Sequence, residues 1–190
     1  MGASPVDSSL ASVTGWRGWP RVVHRLRQVW CVLTARPRDE DLAAARQLLP
    51  PRLWALFQQQ SRADQAHALA VWRAVRGAGG DRVVQQAALL HDVGKAQARL
   101  SLAQRVIAVL GRALFPRRAR GPWAQGAPRG WRRAFVVAEQ HPRWGAILAR
   151  RAGADPRVVA LIAHHQDATP DALPPDLHAA WALLRTADEI

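Results

Sequence analysis

The stretch Leu89-Leu90-His91-Asp92-Val93-Gly94-Lys95 sets an imidazole and a carboxylate side by side at the end of an apolar helical run. Asp81 is placed to cap that helix, which runs through Ala87 and Leu90 into His91. A neutral imidazole and a carboxylate are good ligands for borderline divalent metals. Adjacent helical side chains diverge by about 100°, so an ion near the helix surface reaches both. Lys95 follows His91 by four residues and projects over the same face. It is the one Lys among 27 basic residues; all the others are Arg. A compact ammonium on a flexible stem fits a tight phosphate pocket differently from a planar guanidinium.

Working outward, the periodicity is helical throughout and Pro, Gly and Asp cut it into short helices, so the expected fold class is all-α. Residues 1–19 read as a flexible lead, and 20–61 as an N-terminal helical extension. Within it, 20–34 is expected to be one helix. A second, capped by Asp39, runs to about Leu49, and a short third follows Pro50-Pro51 to about Gln60. Residues 62–190 form the second unit. Its first helix, 64–78, carries His67, Val71, Ala74, Val75 and Ala78 on one face. Ser101 opens an amphipathic helix to about Phe115, and 116–130, rich in Pro, Gly and Arg, reads as an exposed basic loop. A helix then leads into His141. Pro142 suits the first turn of a new helix, which Gly153 ends. Asp155-Pro156 starts a helix that ends near His165, and Pro174-Pro175 precedes a last helix through Asp188.

Composition removes several classes. The chain has 190 residues and is 49% hydrophobic, enough for one domain-sized core without a disulfide or structural metal. A single Cys, Cys31, excludes internal disulfides and Cys-rich zinc modules. No apolar run approaches the roughly 18 residues of a membrane span. Met1 to Gly15 lacks the basic-then-apolar order of a signal peptide, so the expected location is cytoplasmic, with peripheral membrane contact open.

Seven His occur, at 24, 67, 91, 141, 164, 165 and 178. Their order carries a resemblance. His67 lies on a helix upstream of Leu89–Lys95, and His141-Pro142, with Gly145-Ala146 after it, lies downstream. The pair His164-His165 and a late Ala187-Asp188 follow. Together these resemble the motif series of the HD-domain superfamily of metal-dependent phosphohydrolases, over roughly residues 62–190. Each element alone is weak, and the five in order are specific.

The resemblance implies an HD-type helical bundle with additional N-terminal helices. It implies a metal site of His67, His91, Asp92 and Asp188, with His141, His164 and His165 as the further ligands of members holding more than one ion. One or two divalent transition ions (Fe, Mn, Zn, Co or Ni) are expected. Asp92 and Lys95 are the implied catalytic residues, and the expected substrate is a phosphorylated small molecule or nucleotide, a phosphomonoester or phosphodiester. Two alternatives on the same scaffold are a dinuclear-iron oxygenase and a regulatory binding module without turnover. The chain departs from the best-known branches. His165 is followed by Gln166-Asp167-Ala168 rather than Gly-Tyr-Pro, and there is no Tyr at all. Lys95-Ala96 stands where alarmone hydrolases carry an acidic pair. Position 63 is Ala, with Asp64 one place off, where a trinuclear branch has Glu. His24 and His178 match no motif position, and Asp167 and Asp171 read as turn residues.

The net charge of +13 is concentrated. Residues 93–138 hold ten basic residues and no acid, whereas 64–92 are balanced. Arg112, Arg117, Arg118, Arg120, Arg129, Arg132 and Arg133 have four readings. They are a solvated flank, a steering field for polyanionic substrates, a nucleic-acid surface with Trp123 and Trp131 interleaved, or an anionic-membrane surface. In the last, Val106, Ile107, Val109, Leu110, Leu114 and Phe115 supply the apolar face. The sequence carries no signal of oligomeric state.

Overall fold

The computed structural model describes residues 36–98 and 100–189. The expected helix over 20–34, and His24 with it, lies outside the described residues. Those described form nine α-helices with no strand. They are α1 (Asp39–Leu48), α2 (Pro51–Phe57), α3 (Arg62–Gly77), α4 (Arg82–Leu90) and α5 (Leu102–Leu114), then α6 (Pro116–Arg120), α7 (Arg133–Arg151), α8 (Pro156–His164) and α9 (His178–Asp188). A 3-10 segment, Val93–Ala98, follows α4. The all-α class is as expected. Among the described residues no helix is long and apolar enough to cross a membrane.

The helix starts follow the sequence signals. Asp81 and Asp155 each accept a first-turn backbone N–H at α4 and α8. α3 begins at Arg62 rather than the expected 64, because Ser61 caps it and accepts the Asp64 N–H. Ser101 and Gln104 close a reciprocal capping box at α5. Asp39 differs: Arg38 occupies the cap, and Asp39, Glu40 and Asp41 sit in the first turn, where they meet the positive end of the helix dipole. Gly153, at φ +86°, ends α7. Its N–H donates to Arg150 and that of Ala154 to Ala149, the paired bonds of a left-handed stop.

One core joins α3, α4, α7, α8 and α9 around Leu69, Trp72, Leu89, Leu90, Leu161 and Leu184. Leu49, Leu53 and Phe57 belong to that same core, so α1 and α2 pack against the apolar side of the helices that follow. Gln86 reaches the Leu48 carbonyl, and buried Gln60 donates to the Leu89 carbonyl at 3.1 Å. The latter bond satisfies one of the acceptors left open where α4 stops, just ahead of His91.

Two expectations are overturned. Pro142 does not begin a helix; it lies inside α7, and His141 sits mid-helix rather than at a boundary. Proline has no N–H for the Ala138 carbonyl one turn back. Arg112 supplies the substitute, its Nη2 donating to that carbonyl at 2.9 Å. Removing it in Arg112→Met leaves the acceptor without its donor. Stability should fall by about 1–2 kcal/mol, read as a Tm lower by about 2–8 °C in thermal denaturation.

The 116–130 segment is also not a simple exposed loop. It folds into α6 and a 3-10 turn at Pro122–Ala124, because Ala119, Ala124 and half-buried Trp123 pack against Phe135 of α7. Arg132 clasps it, its guanidinium donating to the carbonyls of Pro122 and Gln125 at 2.6 and 2.7 Å. The side chains of Arg117, Arg118 and Arg120 remain exposed as expected.

Candidate metal centre

Five helices deliver the site. α3 brings His67, the turn after α4 brings His91 and Asp92, α7 brings His141, the end of α8 brings His165, and the end of α9 brings Asp188. The junction is tightened by glycine. The 3-10 segment lies so close on α7 that a Cβ on Gly94 would fall 2.0 Å from the His141 carbonyl oxygen and 2.7 Å from the Gly145 nitrogen.

His91, Asp92, His141 and His165 are buried at 2% exposure or less. Three of these imidazoles share one device. Nδ1 of His91 meets the Ala88 carbonyl at 2.8 Å, Nδ1 of His141 the Val137 carbonyl at 3.0 Å, and Nδ1 of His165 the Ile162 carbonyl at 2.9 Å. A carbonyl only accepts, so each Nδ1 carries a proton and each Nε2 is the nitrogen that faces inward, with a free lone pair on the neutral rings of His141 and His165. The rings form a chain with centroids 5.3 Å apart from His67 to His91, 5.1 Å from His91 to His165 and 5.3 Å from His165 to His141.

The carboxylates close the gaps. Asp188 Oδ1 lies 2.9 Å from His67 Nε2 and 3.1 Å from His91 Nε2. Asp92 Oδ1 lies 3.0 Å from His141 Nε2, and its Oδ2 lies 3.5 Å from His91 Nε2 and 2.5 Å from Lys95 Nζ. Two ligand groups result, His67–His91–Asp188 and His91–Asp92–His165, each with its donor atoms within 4.8 Å of one another. They share His91.

This donor set fits a cation. Nε2 of His165 is buried without a hydrogen-bond partner, and Nε2 of His141 opposes Asp92 Oδ1, lone pair against lone pair. Buried acceptors facing acceptors are costly unless a positive charge lies between them. Imidazole and carboxylate together suit Zn, Mn, Fe, Co or Ni rather than Ca or Mg.

The charges agree with that picture. Burial raises the Asp92 carboxyl, but Lys95 and His91 outweigh it and hold it well below the usual carboxylate range. Asp188 is lowered too, burial being outweighed by His91 and His67. His165 is pushed down to about 3 by burial and by the neighbouring His91 and His141, so it stays neutral. His141 is lowered, mainly by burial. His91 is the exception. Burial lowers it, but Asp92 and Asp188 carry it up to about 9, so the metal-free protein holds a proton there. That proton stabilises the metal-free fold fully below pH 6.5, and the contribution is lost as the pH rises through about 9. A metal ion must displace it. Apparent metal affinity should therefore climb by up to about tenfold per pH unit toward pH 9. Calorimetric titration in buffers of different ionisation enthalpy should count about one proton released near pH 7.

His164 does not join the site. Consecutive helical residues point about 100° apart, so with His165 facing inward His164 turns aside, and its Nδ1 pairs with Asp167 Oδ2 at 2.7 Å. Lys95 pairs with Asp92 rather than covering His91, because the chain has tightened to a 3-10 turn, which sets residue i over i+3. Its side chain remains 31% exposed, so it lies at the mouth of the site. His178 bonds the Leu173 carbonyl, and Asp171 holds Thr169 in a turn.

Sequence reasoning missed two neighbours. Asp64 is buried, takes a bidentate pair from Arg105 at 2.9 and 3.0 Å, and its charge reaches Lys95. Gln166 places its amide nitrogen 3.4 Å from His141 Nε2. For Asp64, noted in the sequence only as one place off a family position, the available signal was an acid one helical turn before His67. Gln166 had none. No family model, curated protein or solved structure matches the chain.

Proposed function

We propose that the chain is a divalent-metal-dependent phosphohydrolase of the HD-domain superfamily, acting on a phosphomonoester or phosphodiester such as a nucleotide. The observation that carries this reading is the convergence of three buried, backbone-locked imidazoles on Asp92, with the Lys95 ammonium beside that carboxylate. His67, His91, Asp92, Asp188 and His165 would hold the metal, with His141 against Asp92. When bound, such a metal lowers the pKa of a water molecule and draws charge from phosphoryl oxygens.

The chain's own residues then have defined tasks. Asp92 gathers Lys95 and two imidazoles and sets their spacing. Lys95, partly open to solvent, offers a fixed positive charge to an anionic phosphoryl group. Asp64 and Arg105 brace the Lys95 side of the mouth. His141 and His165, neutral and oriented, keep their lone pairs available at physiological pH.

The test is metal analysis after reconstitution with Mn, Fe, Co, Ni or Zn, followed by assay against p-nitrophenyl phosphate, its bis-ester and a nucleotide panel. One or two bound ions with metal-dependent phosphate release is the expected result. Failure to retain any ion overturns the reading. Oxygen uptake by the reduced iron form without phosphate release replaces it with an oxygenase, and tight metal binding without turnover replaces it with a binding module.

A further inference from the structure

The structure points to a second surface, and we propose that it docks the protein on an anionic lipid bilayer. Among the described residues five large hydrophobic side chains are exposed, and four of them lie between 107 and 131: Ile107 (43%), Leu114 (64%), Phe115 (49%) and Trp131 (57%). Exposed apolar groups gathered in one region mark an interaction site more reliably than scattered ones. Leu114 and Phe115 end α5, and Phe115 and Trp131 both lean edge-on against Trp123, at 5.7 and 5.3 Å.

Arginines frame this apolar tip. Arg117, Arg118 and Arg120 follow Phe115 directly, and Arg129 precedes Trp131. All four are exposed, and among the described residues none is paired with a carboxylate. Glu139 on α7 is engaged by Arg112. The Arg132 clasp and the aromatic contacts with Phe135 fix the platform before any partner arrives, so little ordering is needed on binding.

The partner follows from the chemistry of the tip. A nucleic-acid surface offers aromatic faces for stacking. Here the most exposed of these side chains is the aliphatic Leu114, which cannot stack, and Trp123 is enclosed by three aromatic neighbours, two edge-on and Phe135 tilted. Aliphatic and Trp tips with flanking arginines suit the headgroup boundary instead, where the apolar groups enter and the guanidinium groups meet lipid phosphates. This surface is independent of the metal centre and stands or falls without it.

The test is co-sedimentation of the full chain with vesicles of phosphatidylglycerol and phosphatidylcholine, against vesicles of phosphatidylcholine alone. Trp emission serves as a second readout. Binding is expected only to the anionic vesicles, weakened by high salt and accompanied by a blue shift. Reversing three charges in R117E/R118E/R120E should weaken it by about 100-fold or more. Leu114→Ser, at a side chain too exposed to matter for folding, should weaken it several-fold, and L114S/W131S by about tenfold or more. The proposal is overturned if the parent protein fails to sediment with anionic vesicles at low salt. It is equally overturned if charge reversal abolishes binding while both serine variants bind like the parent, and single-stranded oligonucleotide binds instead.

Discussion

Asp92→Asn protein is expected to fold and to bind a divalent metal ion far more weakly than the parent. The substitution keeps the shape of the side chain but removes the one charge that faces Lys95, His91 and His141 together. Taking one partner from a buried charge cluster costs about 3–5 kcal/mol of stability, and loss of a carboxylate ligand should weaken metal binding by at least about 100-fold. Phosphate release, if the proposed activity holds, should fall at least as far. Metal content after dialysis reads the first effect and a phosphoester assay the second. A third signature separates a lost ligand from a damaged fold. The Asp92 carboxyl is held below its ordinary value of 3.8. Its stabilisation is therefore present above that pH and lost on acidification through the lower folded value. In Asp92→Asn the acid limb of the stability profile should flatten. A variant that retains full metal occupancy would remove Asp92 from the ligand set.

Gly94→Ala should be among the most damaging substitutions in the chain although it adds one methyl group. The new Cβ would meet the His141 carbonyl oxygen at 2.0 Å and the Gly145 nitrogen at 2.7 Å, both backbone atoms that no rotamer change can move. Overpacking of this kind reaches about 3 kcal/mol or more, equal to a Tm lower by at least about 6 °C in a chain of this size. The displaced backbone belongs to His141, so metal affinity should drop as well. Gly77 provides the contrast. A Cβ there meets nothing within 4 Å, and Gly77→Ala near the end of α3 should be neutral or stabilising by about 0.5–1 kcal/mol. Thermal denaturation of the two variants side by side checks both. Equal Tm values would show that the 3-10 segment is free to move away from α7.

What was legible in the sequence was whatever a local rule controls. Asp81, Ser101 and Asp155 announce helix starts because capping is settled within four residues. His67 and Asp188 could be selected by order along the chain, and the fold brings them to 2.9 Å across 121 residues. The failures share one physical origin, a partner distant in sequence. Pro142 reads as a boundary because its local effect is to break a hydrogen bond. The repair comes from Arg112, 30 positions earlier. The 116–130 segment reads as loop because its turns are held by Phe135 and Arg132 rather than by its own residues. His164 is offset from the apolar face that His165 shares with Leu161 and Ile162, and the burial of those two residues in the core is what makes the offset decisive. Arg105 reads as one more arginine of the basic block, and only the approach of α5 to α3 reveals its bond to Asp64.

The imidazole locks have a consequence for how this centre tolerates mutational drift. In many metal centres a ligand histidine is oriented by an outer carboxylate, so its geometry can be lost through a residue that never touches the ion. Here the outer contacts of His91, His141 and His165 are carbonyls of Ala88, Val137 and Ile162, three or four positions back on the same chain. A backbone carbonyl is present whatever side chain the position bears. Substitution at those three positions can change packing but cannot delete the acceptor. The support of the centre is thus hidden from point mutation, and erosion has to proceed through the ligands themselves or through residues, such as Gly94, that set one helix against another.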